Sequence, residues 1–455
     1  MKLTYDSNLR VAGIGVAPWT RLGPELWLSN YVIASLSGWD LDPKPALPKI
    51  YSLDTKSSSE AMTKNTQSLI QNKHFQNILQ RQLPEYDFIT YKPVRVPPEL
   101  SGRKFLMNEP KFTEHYENKA LFRNKMKHAV TFPTFQIYDR DKLESSTTAY
   151  EQMMAGRSKV VLQDEQLSGG KGTFIIGSYE QYCLALDSLR QSSRHKKVVV
   201  SDMIEGARER SLQACITKYG VFIGPLQRQV VANPLLANLS IAMGDKFCGA
   251  AISKADQNTL IHKEATQIVR KIAADLQKDG YRGIFGVDFL LDKTDKLYTI
   301  EVNPRITGVT PLLSALFSDQ AGIPFYLFHL LELGGYEYSI IDETANFDRD
   351  GGLLVLHSLE NTTTTVSRVP HSGTYELETS GKLRFVSDNI KLDTLVERQF
   401  VIQAYVAPNE VVKPGARLAL LFFKTQILDE ETDKLYNNTA IIIESVRQAI
   451  SQIAC

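Results

Sequence analysis

The sequence predicts a mixed α/β (α+β) protein in three parts: an N-terminal α/β unit, a larger central core and a small β-rich C-terminal part. Three observations carry that reading. Up to residue 112, short β-rich runs alternate with helical spacing, the pattern of a parallel sheet. Residues 283–311 form a hairpin with carboxylates on both strands. Past residue 345 the helical spacing gives way to short strands and turns. The expected boundaries are therefore 1–112, 113–345 and 346–455.

Composition narrows the function. The 455 residues are 43% hydrophobic, enough for a large core and more than one domain. Fifty-two basic residues face 51 acidic ones, a net charge of +1, so neither nucleic acid nor an anionic membrane is the expected partner. Cys183, Cys215, Cys248 and Cys455 lie far apart, which argues against a zinc site or a disulfide framework. Reduced thiols, no apolar signal core and no apolar run near ~18 residues point to the cytoplasm.

In the N-terminal unit, residues 48–53, 86–91 and 104–107 read as strands. A single helix is expected over 66–82, from the spacing of Leu69, Ile70, Phe75, Ile78 and Leu79. Gly13-Ile14-Gly15 lacks a third glycine and a following helix, so a plain turn is expected there rather than a nucleotide loop. Ser57–Ser59 reads as a loop.

The hairpin is the most informative stretch. Its strands are expected over 287–291 and 297–302, joined by a polar turn. Asp288 and Glu301 sit among apolar neighbours, where a lone carboxylate is expensive to bury without a cation or another partner. Antiparallel pairing can bring the two onto one face. Asn303 adds a neutral oxygen, and such oxygen ligands on rigid strands suit Mg²⁺. Arg305 offers a fixed fork for a carboxylate or phosphate. The bland alternative is an ordinary hairpin with an edge Asp and a Glu paired to a Lys.

Upstream, Asn118 can cap a helix running to about His128, whose Lys119, Arg123, Lys125 and Lys127 would ordinarily form a solvated face. Ser168-Gly169-Gly170-Lys171-Gly172 is a loop between strands, with bare backbone suited to phosphate oxygens and a mobile charge on Lys171. It is not a P-loop, because Lys171 is followed by Gly172 and a β-rich run rather than Ser/Thr and a helix. A flexible hairpin without a ligand is its alternative. A helix at 179–190, strands at 212–217 and 221–229, and a helix at 264–278 lead to the hairpin. Beyond it come a linker at 348–352, five short strands and a last amphipathic helix over 438–453.

Glu301-Val302-Asn303-Pro304-Arg305, with Asp288 on the preceding strand, resembles the metal-binding end of the ATP-grasp superfamily. The resemblance covers roughly residues 100–320, with four motifs in the family's order. It implies a phosphate-binding role for Lys119 at its helix start. It makes the Gly169–Gly172 loop the tip of a lid over about 158–200. It sets Gln163 where many relatives carry a nucleotide-touching Lys, so that position offers hydrogen bonds but no charge. Residues 201–204 become an adenine linker: the backbone at Met203 and Ile204 reads the base, Ser201 or Asp202 faces its amine, and Glu209 or Glu205 takes a ribose hydroxyl. Arg228 would aim at the transferred phosphate, beside Lys171 and Arg305.

The activity implied is ATP- and Mg²⁺-dependent (Mn²⁺ as substitute) ligation of a small-molecule carboxylate to an amine through an acylphosphate, on an amino acid or peptide. A homodimer is compatible with this. The alternatives are a biotin-carboxylase-like enzyme, a non-catalytic nucleotide-binding protein and a kinase-like or protein-modifying ligase. No biotinyl sequence is present for the first, and no basic groove is evident for the last.

Overall fold

A computed structural model describes residues 1–40, 47–53, 65–167, 172–192, 195–240, 246–319 and 322–454. The Ser57–Ser59 loop and Cys455 lie outside them. Strand β1 (Lys2–Tyr5) opens the chain. Then β2 (Val11–Gly15), β3 (Tyr31–Ser35), β4 (Ile50–Ser52), β5 (Asp87–Ile89) and β6 (Phe105–Leu106) make a parallel sheet in the order β4-β3-β2-β5-β6. Every residue of β2 is buried, as a central parallel strand covered on both faces requires. Gly13-Ile14-Gly15 is therefore the end of a strand, neither the expected turn nor a nucleotide loop. Its glycines leave room: a Cβ on Gly13 would overlap the Tyr31 hydroxyl, and one on Gly15 the Arg21 guanidinium.

The helix expected over 66–82 is two, α1 (Thr66–Gln71) and α2 (Lys73–Gln82). Asn72 breaks the run with an extended backbone, and its side chain accepts from His74 and Phe75 N–H to cap α2. Asn prefers that cap to a helix interior.

After α3 (Pro110–Tyr116) comes α4 (Lys119–Met126), capped by Asn118 through Leu121 N–H as expected. A second body follows: β7 (Phe135–Asp139), α5 (Thr147–Met154), β8 (Val160–Asp164), β9 (Thr173–Ile176), α6 (Tyr179–Ser192) and β10 (Lys197–Asp202). Its strands pair as β7-β10-β8-β9. This body starts before residue 158, because β10 pairs β7 on one side and β8 on the other.

The core continues with β11 (Arg208–Thr217), β12 (Gly220–Val231), β13 (Phe247–Ile252), α7 (Leu260–Lys278), β14 (Gly283–Leu291) and β15 (Leu297–Asn303). Apolar residues of α7, Ile268, Val269, Ile272 and Leu276, pack on Val287, Phe289 and Val302 of the hairpin. Next come α8 (Thr310–Leu316), α9 (Phe325–Gly334) and β16 (Tyr338–Asp342), the last paired with β1.

The last stretch holds β17 (Gly351–His357), β18 (Thr364–Arg368), β19 (Gly373–Leu377), β20 (Leu383–Ser387), β21 (Gln399–Ala404), β22 (Val411–Val412), β23 (Arg417–Phe423), α10 (Asn437–Ala449) and β24 (Ser451–Ala454). It is not an appendage. β17 pairs β13 from Ile252↔Gly351 to Gly249↔Leu354, completing a ten-stranded sheet in the order β15-β14-β11-β12-β13-β17-β23-β21-β19-β20. Gly249 permits this, since a Cβ there would overlap the Leu353 carbonyl. The expected linker thus ends inside a strand. The final helix also stops early, at Ala449, and Ser451–Ala454 pairs with β18.

Candidate active site

In the hairpin Asp288 lies directly across from Glu301, and a register shift follows at Phe289. Val287 and Phe289 point into the core, so the pleat turns Asp288 to the other face, where a large cavity lies. Gln229 Nε2 of β12 donates to Asp288 Oδ1 at 2.6 Å. Asn303 Nδ2 donates to Asp288 Oδ2 at 2.9 Å and to Glu301 Oε1 at 3.3 Å. The amide nitrogen, rather than the oxygen expected as a ligand, thus faces the carboxylates. Arg305 holds that oxygen with Nη2 at 2.5 Å, and its Nε donates to Glu117 Oε1 at 2.5 Å.

Electrostatics separates the two carboxylates. Burial, then the neighbouring Glu301 charge, pushes the Asp288 carboxyl up to about 8. For Glu301 burial acts in the same direction but is outweighed by Lys119, Asn303 and Arg305, and its carboxyl lies below the ordinary value. Two carboxylates facing each other across the hairpin repel, a condition that a divalent cation relieves. The donor set fits Mg²⁺ on that ground. Among the described residues no group of three or more His, Cys, Asp or Glu could hold a metal ion, and the candidate set here is two carboxylates and an amide.

Lys119, at the first turn of α4, reaches across to the smaller body. Its backbone N–H donates to Glu165 O at 2.7 Å and its Nζ to Leu167 O at 3.0 Å, with Glu301 Oε2 at 3.5 Å. It is 4% exposed, so the solvated-face reading does not hold for it. Nor does it hold for Arg123, one turn on and 1% exposed. Arg123 Nη2 donates to Gln163 Oε1 at 2.8 Å, and Gln163 Nε2 faces Thr173 Oγ1 at 3.3 Å. Burial pulls the Arg123 guanidinium down to about 10.

At the end of β10, Asp202 N–H donates to Thr134 O at 2.9 Å and its carboxylate takes Arg157 Nη1 at 2.7 Å. Asp202, Met203, Ile204 and Glu209 line the cavity, as do Gln163, Asn303 and Arg305. Gly172 N-terminally closes on Asp164, whose N–H donates to its carbonyl. Ser168, Gly169, Gly170 and Lys171 lie outside the described residues. Arg228 does not reach the cavity. It lies one residue out of phase with Gln227 and Gln229, which do, and its fork grips Asp256 at 2.6 Å through both Nε and Nη2. Its Nη1 donates to Asp433 at 2.9 Å. Sequence reasoning missed Arg123, Gln229 and Glu117. Strand alternation from Asp288 through β11 to β12 is the signal that would have favoured Gln229 over Arg228.

The cavity has a volume of about 1960 Å³ and runs between the N-terminal sheet, the smaller body and the hairpin. An ATP-grasp domain family model matches residues 116–309. Those central residues are similar to the ATP-grasp domain family. The fold of the whole chain is shared with solved enzymes. It superposes with TM-score 0.61 on the biotin carboxylase domain of Hydrogenobacter thermophilus 2-oxoglutarate carboxylase, at 13% identity, over 98% of this chain and 91% of that one. Against the Aspergillus clavatus carboxyaminoimidazole ribonucleotide synthase the TM-score is 0.57, at 15% identity, over 97% of this chain and all of that one. A curated relative, the [butirosin acyl-carrier protein]–L-glutamate ligase of Niallia circulans, is 29% identical over 191 residues. That match covers 40% of this chain and 42% of the relative.

Proposed function

We propose that the chain is an ADP-forming carboxylate–amine ligase working through an acylphosphate on a small amino-acid or peptide substrate. The carrying observation is the convergence of the Asp288/Glu301 pair, Lys119 and Arg305 on one cavity. A relative named as an L-glutamate ligase supports the same chemistry.

Mg²⁺, or Mn²⁺ in its place, would be held by Asp288 and Glu301, and by Asn303 once its amide turns its oxygen inward; bound there, it would neutralise charge on the phosphates. Lys119 offsets phosphate charge from the α4 side. Gln163 offers its amide beside it, and Gly169, Gly170, Lys171 and Gly172 are assigned to the phosphates. Met203 and Ile204 offer backbone to the base, with Asp202 and Glu209 toward the amine and ribose. Arg305 holds the substrate carboxylate. A carboxylate oxygen attacks the terminal phosphorus and ADP leaves; the amine then attacks the acyl carbon, loses a proton, and phosphate leaves. Such a site acts by positioning and by preorganised charge. Arg228 has no part in it. The partners are a small carboxylate and an amine, in the cytoplasm, with a homodimer allowed. No described helix is long and apolar enough to cross a membrane.

The test is ADP and phosphate release by the purified chain with ATP and Mg²⁺, against pooled amino acids and dipeptides. Release should require a carboxylate and an amine together, and Glu301→Ala should lower it about a hundredfold or more. Release that needs only bicarbonate would replace the ligase by a carboxylase. No ADP release under any condition would overturn both.

A further inference from the structure

Arg21 is 5% exposed, yet it lines the cavity at the end of β2. Its Nε donates to Ile14 O at 2.6 Å, and its Nη1 donates to Thr20 O and Oγ1 at 3.3 Å. All of these acceptors are neutral. Among the described residues no carboxylate forms an ion pair with Arg21. Its guanidinium carbon lies 4.1 Å from the centre of the Tyr91 ring, in space that Gly13 and Gly15 leave free. From the far end of the chain, Arg417 starts β23 and lies 5.9 Å over the Tyr405 ring, with no carboxylate partner among the described residues. Tyr91, Tyr405 and Arg417 line the same cavity as Arg305. Burial raises the Tyr91 hydroxyl to about 12, and the charges of Arg21, Arg417 and Arg305 all reach it in the opposite sense.

We infer that Arg21 and Arg417 form a second anion subsite, which takes an oxyanion of the acid substrate other than the carboxylate being activated. This rests on the ligase reading. A buried guanidinium with only neutral acceptors is expensive unless an anion completes it. Arg305 is already shared with Glu117 and Asn303 beside the metal hairpin, so it serves the reacting end. Arg21 and Arg417 hold the remote end, and their planar forks match a carboxylate or a phosphate. Tyr91 and Tyr405 shield that contact from water and hold the guanidinia flat. The substrate is then a diacid, an acidic amino acid or a phosphate-bearing acid, not a simple monocarboxylate.

Calorimetry on the full chain with ADP and Mg²⁺ tests this, using L-glutamate, O-phospho-L-serine and butyrate. One of the first two should bind wild type about tenfold or more tighter than butyrate, and which one names the oxyanion. Arg21→Met and Arg417→Met should each erase that preference, about tenfold, while leaving butyrate and ADP affinities unchanged. If the buried Arg21→Met variant does not fold, exposed Arg417→Met carries the test alone. Equal binding of all three acids, or wild-type preference retained in every folded variant, would overturn the subsite. Failure of wild type to bind ADP would instead strike the ligase reading, and diacid binding would still report on the subsite.

Discussion

Arg123 is buried, yet among the described residues its Nε and Nη1 have no hydrogen-bond partner. Its Nη2 donates to Gln163 Oε1, and its guanidinium lies 6.0 and 5.8 Å from the Phe132 and Phe135 ring centres. A cation so placed is destabilising by itself. Its effect on the site is specific, because it holds the amide oxygen of Gln163 and leaves Gln163 Nε2 to Thr173 Oγ1, both side chains lining the cavity. Arg123 thus brings positive charge to the cavity wall beside Gln163. Arg123→Met removes an uncompensated charge at similar volume. It should weaken ADP binding about tenfold while the protein without nucleotide loses no more than about 1 kcal/mol; ADP calorimetry and urea unfolding together check this, and unchanged affinity with a large stability loss would make Arg123 purely structural. Gln163 was legible in the sequence as a departure, but its meaning was not, because the compensating charge comes from a helix 40 residues earlier. That Asp288, Glu301, Asn303 and Arg305 face one cavity was legible because one hairpin and its exit carry them all. Arg228 misled because strand side chains alternate, so one position of phase moves a side chain to the opposite face.

Among the elements, α9 meets the start of β14 at a single buried imidazole. Gly283 has φ +93°, and a Cβ there would overlap the His329 ring. Ile284 N–H donates to His329 Nδ1 at 2.9 Å, so the ring must be neutral at that nitrogen. Burial accordingly lowers His329 to about 3, and burial does the same to His357 in β17. The sign follows directly. Between pH 6.5 and about 3 the unfolded chain binds these protons and the native chain does not, so stability falls as the pH drops through that window. Each histidine contributes a slope of up to about 1.4 kcal/mol per pH unit there. Urea midpoints at pH 7 and pH 5 should show the loss, and His329→Gln, which keeps an acceptor without titrating, should reduce it by one histidine's share. A pH dependence unaltered by the substitution would mean that His329 is protonated in the native state. Strand and helix positions were mostly legible, since the 2.0 and 3.6 periods are written locally. The break at Asn72 and the early end of α10 were not, because a cap in one case and pairing of β24 with β18 in the other override the local pattern.

The whole molecule is tied together by one sheet, and that tie was invisible in the sequence because β13 and β17 meet across about a hundred residues of chain. A buried charge cluster reinforces it. Asp433, in the turn before α10, takes Arg210 of β11 at 2.7 Å and Arg228 of β12 at 2.9 Å. Asp256 binds the rest of the Arg228 fork, and Glu430 O accepts from its Nη1 at 2.7 Å. These arginines are 3% and 5% exposed. Arg210 and Arg228 lie on the strands that carry Ser211, Gln227 and Gln229 to the cavity, so this cluster supports the back of the site from the C-terminal part. Removing one partner of such a buried set leaves a charge that neither water nor protein satisfies. Asp433→Ala should therefore destabilise the entire chain by about 3–5 kcal/mol, and unfolding should remain a single transition in calorimetry and in tryptophan fluorescence. If instead a separate low-temperature transition split off, with the ADP-binding core melting as in wild type, the C-terminal part would be an independent domain resting on the sheet. A loss below about 1 kcal/mol would mean that water reaches the two guanidinia in solution.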